Sequence, residues 1–411
     1  FIAQSDASNS YLYTSGKDLF VYNASSKTAK RLTNNDDSEL EADFSPDGKR
    51  ASFVRGNDLY AVDIASGKEA RFTKDGSKNI LNGYLAWVYE EELYGRGRNR
   101  GYWWSPDSTS IAFLRTDDSK VPMFILADDT KTDQNIEDVG YPQAGDPNPI
   151  VTFHIANVNS TKISNVNTSK YKPEDFLISR VDWSPDSKWV IWQGQNREQT
   201  FLDLNATDKT AKNQKTLFQD KTPAWISSPG NPYWLKDGSF IWRSPRSGFH
   251  HLYHYDANGK LIRQITKGDW EVRRFYGVDQ ANGFVYFSGM KHSPIAAQIY
   301  RIKTDGSGMT RLTKRDGSHR AMFNPSFTHF VNTWSDINTP PQTRLHRASG
   351  AVEKVINENK VPLLDKYGLS KPEFMKVKNR DGFEMEAYML KPPNFDSSKK
   401  YPVLTFVYGG P

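Results

Sequence analysis

Short runs in which residues such as Val, Ile, Phe and Tyr alternate with polar ones recur along this chain. Alternation with a period of two residues is typical of β-strands that bury one face. The runs are separated by Pro-Asp-Gly, Ser-Gly or Asn-Gly, which favour tight turns. The pattern therefore predicts an all-β chain of short strands joined by turns.

One phrase recurs, in which an aromatic residue precedes a polar turn and an apolar strand. Its copies are FSPDGKRASFV from Phe44, WSPDSTSIAFL from Trp104, WSPDSKWVIWQ from Trp183, WLKDGSFIWRS from Trp234 and a degenerate FNPSFTHFVNT from Phe323. We expect each aromatic residue to anchor a strand between neighbouring sheets. The spacings of 60, 79, 51 and 89 residues are too irregular for a solenoid.

A second phrase usually follows the first and continues the strand–turn–strand pattern. Its copies are DLFVYNASSKTAKRLT (18–33), DLYAVDIASGKEARFT (58–73), HLYHYDANGKLIRQIT (251–266) and QIYRIKTDGSGMTRLT (298–313). The copy at 18–33 lacks a visible first half. Together the phrases predict four-stranded blades that carry insertions, and hence a β-propeller; a pair of β-sandwiches is the alternative.

The pattern changes after Thr313, and from about Lys371 the chain has a different character. Two strand-like runs (374–378 and 384–391) precede a Pro-rich loop and the apolar run Val403–Val407, which ends in Gly-Gly-Pro. A continuous apolar run before a Gly-rich turn is typical of a buried parallel strand. We therefore expect an α/β domain to begin here.

Composition excludes several classes of protein. The 411 residues are 37% hydrophobic and 13% aromatic, which indicates a globular fold. The net charge is 54 − 48 = +6, with basic residues scattered rather than clustered, which argues against nucleic-acid binding. No apolar run approaches the length of a membrane span, and the absence of cysteine excludes disulfides and thiolate chemistry. The opening residues read as a strand rather than a signal peptide, so we expect an earlier segment to have been removed.

Two groups of residues could carry chemistry. Glu90, Glu91 and Glu92 lie in the aromatic segment NGYLAWVYEEELYGRGRNRGYWWSPDS (82–108). From spacing alone, a solvated acidic turn is the favoured interpretation of such a run. The histidines at 250, 251 and 254 could suggest a metal, but a strand places them on alternating faces and no Cys or carboxylate set accompanies them. We expect no metal and no cofactor.

Four motifs follow one another along the chain: WVYEEELYGRGRNRGYWWSPDS, YPQAGDPNPIV, ITKGDWEV and KKYPVLTFVYGGP. In this order they resemble the dipeptidyl peptidase IV branch of the prolyl oligopeptidase clan, in particular its bacterial members, and the resemblance extends over essentially the whole chain. The resemblance implies a β-propeller over residues 1–365, with an insertion near 78–103; it has eight blades in the family, and both a complete and an incomplete N-terminal end are open here. Residues 366–411 would begin a truncated α/β-hydrolase domain.

The same resemblance implies a serine peptidase that removes N-terminal dipeptides with proline or alanine in second position. It further implies a homodimer, peptide substrates with a free N-terminus, and a periplasmic or secreted location. No Gly-x-Ser-x-Gly motif occurs in the sequence, and the serine, aspartate and histidine of the family's triad have no counterpart here. We therefore expect the 411-residue chain alone to be inactive.

By resemblance, Glu91 and Glu92 bind the α-ammonium of the substrate. An ammonium has three donors, and two converging carboxylates can satisfy it where one would leave it half paired. The surrounding aromatic residues are expected to form walls that lower the local dielectric and strengthen the pairing. Glu90 is expected to be their solvated neighbour, in a salt bridge with Arg96 or Arg98.

By resemblance, Tyr408 stabilises the oxyanion of the tetrahedral intermediate; packing at a strand end is the alternative. Two features depart from the family pattern. Ala86 precedes Trp87 where an aspartate is usual, and the arginine that holds the substrate carbonyl in relatives has no clear equivalent. Arg55 is a poor candidate for this arginine, and Arg98 and Arg115 are candidates that no motif supports.

Two other functions stay open. A stand-alone propeller could act as a binding scaffold, because a fold does not fix an activity. The hydrolase-like segment KKYPVLTFVYGGP argues against that hypothesis. An oligopeptidase or acylaminoacyl peptidase of the same clan would accept blocked or internal positions, and such enzymes lack the two glutamates that correspond to Glu91 and Glu92.

Overall fold

A computed structural model describes residues 2–130, 132, 135–227 and 229–407. The chain folds as two compact units, residues 1–247 with 252–263, and residues 248–251 with 264–411. Among the described residues, six sheets have four strands, and a seventh has a four-strand path that carries one additional strand. Each uses consecutive strands, apart from one inserted hairpin.

The first unit begins with two complete sheets. Sheet 1 comprises β1 (Ala3–Ser5), β2 (Ser10–Ser15), β3 (Asp18–Asn23) and β4 (Thr28–Arg31), and sheet 2 comprises β5 (Leu40–Phe44), β6 (Arg50–Arg55), β7 (Asp58–Asp63) and β8 (Glu69–Arg71). Sheet 3 is interrupted twice by insertions. In chain order it contains β9 (Ile80–Asn82), a π-helical turn (Tyr89–Gly95), β10 (Tyr102–Trp104), β11 (Ser110–Asp117), the hairpin β12 (Met123–Asp128) and β13 (Asn135–Gly140), β14 (Ile150–Asn157) and β15 (Ile163–Asn165).

Two further sheets follow. After a 3-10 turn at Pro173–Asp175, sheet 4 comprises β16 (Phe176–Trp183), β17 (Trp189–Asn196), β18 (Phe201–Asp208) and β19 (Gln214–Lys221). Sheet 5 comprises β20 (Tyr233–Trp234), β21 (Phe240–Ser244), β22 (His251–Tyr255) and β23 (Leu261–Gln264).

The second unit contains two sheets and a hairpin. Sheet 6 comprises β24 (Val272–Asp279), β25 (Phe284–Gly289), β26 (Gln298–Lys303) and β27 (Thr310–Arg311), and sheet 7 comprises β28 (Ser318–Phe323), β29 (His329–Asp336), β30 (Thr339–Arg347) and β31 (Val352–Asn357). A 3-10 turn, Pro362–Tyr367, precedes the hairpin of β32 (Glu373–Lys378) and β33 (Glu384–Met389).

The two sequence phrases correspond to the two halves of a sheet. The first phrase spans the turn between the first and second strands, as Phe44 ends β5 and Trp183 ends β16. The second phrase supplies the third and fourth strands. The missing first half of the earliest copy is β1 and β2, whose connection lacks the Ser-Pro-Asp turn. The first half of sheet 6 escapes the pattern for the same reason, because its first turn reads Gln-Ala-Asn-Gly.

Side chains in the Ser-Pro-Asp turns fold the backbone and link successive sheets. The Ser45 hydroxyl donates to Asp47 at 2.6 Å and accepts the Arg50 amide at 2.9 Å. The fourth position of the turn is left-handed, with φ of +60° at Ser108 and +59° at Ser187. The Ser108 hydroxyl accepts the Asp47 amide of the preceding sheet's turn at 3.0 Å. These turns therefore connect neighbouring sheets as well as neighbouring strands.

Apolar residues pack between successive sheets of the first unit. Separate buried clusters involve sheets 1 and 2, sheets 2 and 3, sheets 3 and 4, and sheets 4 and 5. Trp192 is fully buried in the cluster that joins sheets 3 and 4. In the second unit a similar cluster joins sheets 6 and 7. The aromatic anchors predicted from the repeated phrase thus lie where expected, with Phe44, Trp104 and Trp183 all buried.

The C-terminal region agrees only in part with the sequence prediction. The two strand-like runs form the predicted strands, β32 and β33, paired in one hairpin. The prediction of a buried strand at Val403–Val407 is wrong for the described residues. This run has no regular structure, and Leu404 is 95% exposed. A parallel strand requires a hydrogen-bonding neighbour, and no described strand pairs with this run.

The histidines of the 250–254 segment have local hydrogen-bond partners. The ring of His251 lies 3.0 Å from the Thr266 hydroxyl and 2.8 Å from the Gly268 carbonyl oxygen. The ring of His254 lies 2.8 Å from the Ser239 hydroxyl. Within the described ranges, no helix combines the length and apolarity needed to cross a membrane.

Candidate functional site

The segment with the three glutamates interrupts a single strand of sheet 3. Strand β9 pairs with the end of β11 at residues 115–117, and β10 pairs with its beginning at residues 111–113. The two short strands therefore act as two halves of one strand. Residues 83–101 form an insertion between them.

Two glycines bring the ends of this insertion together. Gly83 donates to the Leu114 carbonyl and Gly101 accepts from the Leu114 amide, both at 2.9 Å. Gly101 also donates to Gly83 at 2.9 Å. A Cβ atom on Gly101 would lie 3.0 Å from a methyl group of Leu85 and 3.2 Å from the carbonyl carbon of Gly83. The chain can leave and rejoin the sheet at one point because these positions lack side chains.

The glutamates lie on a π-helical turn that starts without a side-chain cap. The Ala86 carbonyl accepts the amides of Tyr89 at 3.0 Å and Glu90 at 2.9 Å, and no side chain caps the start of the turn at Val88. The alanine that replaces the family's usual aspartate thus lies beside the start of the turn. The turn ends at Gly95, whose φ is +102°. Single π-helical turns are rare and often occur at functional sites.

A β-bulge in β16 holds the π-helical turn. The register of β16 against β17 shifts between Ile178 and Arg180, which frees backbone groups from the ladder. The Ile178 amide donates to the Tyr89 hydroxyl at 3.2 Å, and the Tyr94 hydroxyl donates to the Ile178 carbonyl at 3.3 Å. The Arg180 guanidinium donates to the Leu93 carbonyl. Three contacts therefore fix the turn to sheet 4.

The aromatic residues around the glutamates anchor the segment rather than surround the carboxylates. Tyr89 is fully buried, and Tyr94 and Trp103 pack against the same cluster between sheets 3 and 4, with their ring centroids 5.8 Å apart. Trp87 contacts Tyr141, which follows the β12–β13 hairpin, with centroids 4.2 Å apart. The expectation of aromatic walls is not met at Glu92, whose side chain is exposed.

The three glutamates have three different environments. Glu90 is only 9% exposed, and its carboxylate accepts the Gly97 amide. The prediction that Glu90 is solvated is therefore wrong, because its side chain turns inward to close the loop that follows the turn. The salt bridge expected for it belongs to Glu91, which contacts Arg96. Glu92 has no hydrogen-bond partner among the described residues and faces solvent.

The Glu91–Arg96 pair is bidentate. Arg96 Nε lies 3.0 Å from Oε1 and 2.8 Å from Oε2 of Glu91, and Nη2 lies 2.5 Å from Oε1. Hydrogen bonds from Arg96 hold the pKa of Glu91 below its usual value. Glu91 is therefore ionised at neutral pH and accepts donors on both oxygens.

Arg180 is a residue of this site that sequence reasoning missed. Its guanidinium carbon lies 5.0 Å from the centre of the Tyr94 ring. Burial lowers the pKa of Arg180, and the charge of Arg98 lowers it further. Among the described residues no carboxylate forms an ion pair with Arg180. Nothing in its local sequence marks it, because its partner, Leu93, lies 87 residues away.

A second set of contacts fixes the insertion to sheet 2. Arg100, which forms a backbone bridge with Tyr84, pairs with Asp43 on β5. The Tyr102 hydroxyl donates to the Glu41 carbonyl. Glu41 lies in a bulge of β5 with a left-handed φ of +51°. Burial raises the pKa of both Glu41 and Asp43.

The remaining residues singled out from the sequence lie elsewhere. Arg55 pairs with Glu39 and Glu69, and Arg115 pairs with Asp75. Both guanidinium groups therefore already contact carboxylates. Arg98 is exposed on the insertion. Tyr408 lies outside the described residues, so its role as oxyanion donor stays a prediction.

No group suited to a metal ion occurs in the part of the chain that the structure describes. Nowhere in that part do three or more His, Cys, Asp or Glu side chains cluster in a way that could hold one. The arrangement can instead bind a cation through ionised carboxylates. Glu91 and Glu92 follow one another on a turn that is fixed from two neighbouring sheets.

The sequence matches a known family over most of its length. Residues 1–341 match the family described as "Dipeptidyl peptidase IV (DPP IV) N-terminal region". Dipeptidyl peptidase 4 of Trichophyton equinum is 30% identical over 389 residues, which cover 90% of this chain and 49% of that protein. A probable dipeptidyl-aminopeptidase B of Talaromyces marneffei is also 30% identical, over 90% of this chain and 44% of its own length. The chain thus spans about half the length of these relatives.

Solved structures agree with the sequence matches. The crystal structure of Porphyromonas gingivalis dipeptidyl peptidase 4 superposes with a TM-score of 0.85 at 27% identity, covering 95% of this chain and 56% of the other. A putative dipeptidyl aminopeptidase IV from Bacteroides ovatus, 23% identical, shares the fold with a TM-score of 0.77. The predicted all-β propeller architecture is confirmed by these matches and by the succession of four-stranded sheets. The count of eight blades and the assignment of residues 366–411 stay predictions.

Proposed function

Because the chain belongs to the dipeptidyl peptidase IV family through its N-terminal region, we propose that it binds the N-terminus of the substrate as part of a serine dipeptidyl peptidase. The proposed enzyme releases N-terminal X-Pro or X-Ala dipeptides. The observation that carries this proposal is the pair of consecutive carboxylates, Glu91 and Glu92, on a π-helical turn held by both neighbouring sheets. We call these two residues the Glu pair.

The chemistry of the Glu pair fits a peptide α-ammonium. The ammonium carries three donors and a positive charge, and the pair offers four carboxylate oxygens. Charge-assisted hydrogen bonds of this kind are about twice as strong as neutral ones. The contacts of Tyr89 with Ile178 and of Leu93 with Arg180 fix the turn to sheet 4. A fixed anchor for the amino terminus would place only the second peptide bond at the nucleophile.

The nucleophile itself is not part of this sequence, which contains no Gly-x-Ser-x-Gly motif. We propose that the serine, aspartate and histidine of the full-length enzyme lie outside these 411 residues. This chain alone would then bind amino termini without hydrolysing peptides. The scaffold hypothesis differs in predicting no cleavage by the full-length protein. The oligopeptidase hypothesis differs in predicting cleavage of blocked substrates.

The test compares free and blocked substrates. The full-length protein is assayed on a chromogenic Ala-Pro substrate and on its N-acetylated form. We expect cleavage of the free dipeptide and loss of cleavage on acetylation, because acetylation removes the charge that the Glu pair binds. Equal turnover of the two substrates would contradict the proposal, and no turnover of either would favour the scaffold.

We further propose that the full-length enzyme is a homodimer and acts in the periplasm or outside the cell, as the resemblance implies. The β12–β13 hairpin supports an association surface, because Phe124, Ile125 and Leu126 are consecutive and 45–62% exposed. Contiguous apolar patches of this kind often mark protein contacts. Sedimentation of the full-length protein with Ile125→Asp tests the dimer, and cell fractionation tests the location.

A further inference from the structure

The free Glu pair already holds a cation. Arg96 makes a bidentate contact with Glu91, with three N–O distances between 2.5 and 3.0 Å. A guanidinium and an α-ammonium use the same lone pairs of a carboxylate. A peptide amino terminus that reaches Glu91 must therefore share this carboxylate with Arg96 or replace it.

The position of the Arg96 side chain allows it to leave Glu91 at a small cost in free energy. Its side chain is 84% exposed, whereas that of Glu91 is 20% exposed. Ion pairs with one partner in solvent contribute little, because water solvates the freed group. The internal contact is therefore weak enough for a substrate to replace it.

The residues on either side of Arg96 leave space for this movement. Gly95 and Gly97 have φ values of +102° and +79°. A Cβ atom on either would meet no other heavy atom within 4 Å. The Gly97 amide is fixed by Glu90, so the backbone stays in place while the arginine side chain changes rotamer. The backbone of this loop is thus held in place, while the guanidinium of Arg96 can move.

The charges of the site agree with an exchange of cations. Glu91 and Glu92 carry two negative charges, and Arg96 balances one of them. Glu92 remains exposed and has no partner among the described residues. An arriving ammonium can therefore contact Glu92 first and take over Glu91 as the guanidinium leaves. No covalent step is involved.

We propose that Arg96 is an internal competitor that occupies Glu91 until the α-ammonium of a peptide replaces it, so that it weakens substrate binding. This inference rests on the proposed function of the Glu pair. It makes Arg96 a determinant of substrate affinity, although it takes no part in the chemistry. A residue that merely orients Glu91 would have the opposite effect.

The experiment measures steady-state kinetics of the full-length protein on a chromogenic Ala-Pro substrate. We expect Arg96→Gln to lower KM about two- to five-fold with kcat unchanged, the range of an exposed ion pair. Arg96→Lys keeps the charge without the bidentate geometry, so its KM should lie between the two. Arg263→Gln is the control, because Arg263 on β23 is likewise exposed, lies outside the insertion and has no carboxylate partner among the described residues. Its KM should match that of the wild type.

An unchanged or raised KM in Arg96→Gln would overturn the inference, and so would an equal decrease in Arg263→Gln. If the wild-type protein discriminates free from acetylated substrate in the same assay, such a result leaves the proposed function standing. If the wild type fails to discriminate, the proposed function and this inference fall together.

Discussion

The Tyr89 hydroxyl, fully buried, accepts a hydrogen bond at 3.2 Å from the amide of Ile178, which lies 89 residues further along the chain. The amide is available because Ile178 lies at a bulge in β16. Tyr94 uses the carbonyl of the same residue. One irregularity in sheet 4 thus supplies both groups that hold the glutamate-bearing turn.

Tyr89→Phe tests this contact. The ring and its packing are retained, but the buried Ile178 amide loses its acceptor. We expect a loss of about 1–3 kcal/mol, the usual range for an unsatisfied buried donor. Thermal unfolding measured by calorimetry should show a lower Tm. Tyr22→Phe, at a position 37% exposed, is the control and should leave Tm nearly unchanged.

Removing one charge of the Glu pair should weaken the use of substrates with a free amino terminus. For Glu91→Gln and Glu92→Gln in the full-length protein we expect kcat/KM to fall about 10- to 100-fold, the range for a lost hydrogen bond to a charged group. The fold is expected to persist, because both side chains contact solvent in part. Wild-type kinetics in both variants would show that the ammonium binds elsewhere.

Glu90→Gln is the matched control for that experiment. Its carboxylate accepts the Gly97 amide, and a glutamine carbonyl can accept the same bond. We expect a smaller decrease in kcat/KM than for Glu91→Gln or Glu92→Gln. A larger decrease would assign the ammonium to the buried glutamate.

Ser187 provides a test of the links between sheets. Its hydroxyl accepts the Asp107 amide at 3.0 Å, and its backbone is left-handed. Ser187→Ala keeps the cost of the left-handed backbone and removes only the hydroxyl, so we expect a loss of about 1 kcal/mol. Ser187→Gly should lose less, because glycine adopts this conformation freely. Urea titration of both variants measures the difference, and equal stability of Ser187→Ala and wild type would contradict it.

The raised pKa of Asp118 predicts that the free energy of unfolding depends on pH. Burial, helped by the charge of Asp117, raises the pKa of Asp118 to about 6, and its Oδ1 is buried without a partner among the described residues. A raised folded-state pKa means that the folded protein holds this proton more tightly than the unfolded chain. The stabilisation is therefore complete below the unfolded pKa of 3.8 and is lost as pH rises through about 6.

Asp118→Asn should therefore be more stable than the wild type at pH 7.5, by about 1–2 kcal/mol after allowance for partial exposure. The advantage should disappear near pH 4, where the wild-type carboxyl is protonated. Urea titrations at the two pH values provide the comparison. A variant that is no more stable at pH 7.5 would contradict the assignment.

Much of the fold could be predicted from the sequence because its signals are local. Strand alternation and the Ser-Pro-Asp turn each span fewer than ten residues, so each copy of the strand–turn–strand phrase can be recognised on its own. The first two strands of sheets 1 and 6, β1–β2 and β24–β25, did not emerge from the repeated pattern, because the turns that connect them lack Ser-Pro-Asp. The apolar run at Val403–Val407 had the composition of a strand, but pairing requires a neighbour and cannot be read from composition.

Local sequence signals were enough to predict the short strands, many of their turns, and Glu91 and Glu92 as candidate ligands. The inward turn of Glu90, the Glu91–Arg96 pair and the contact of Arg180 with the turn depend instead on tertiary contacts. Side-chain pairing depends on where the backbone of distant strands passes, and no short-range pattern records that position. The bulge in β16, for example, fixes the turn that carries the glutamates through residues more than 80 positions away in the sequence.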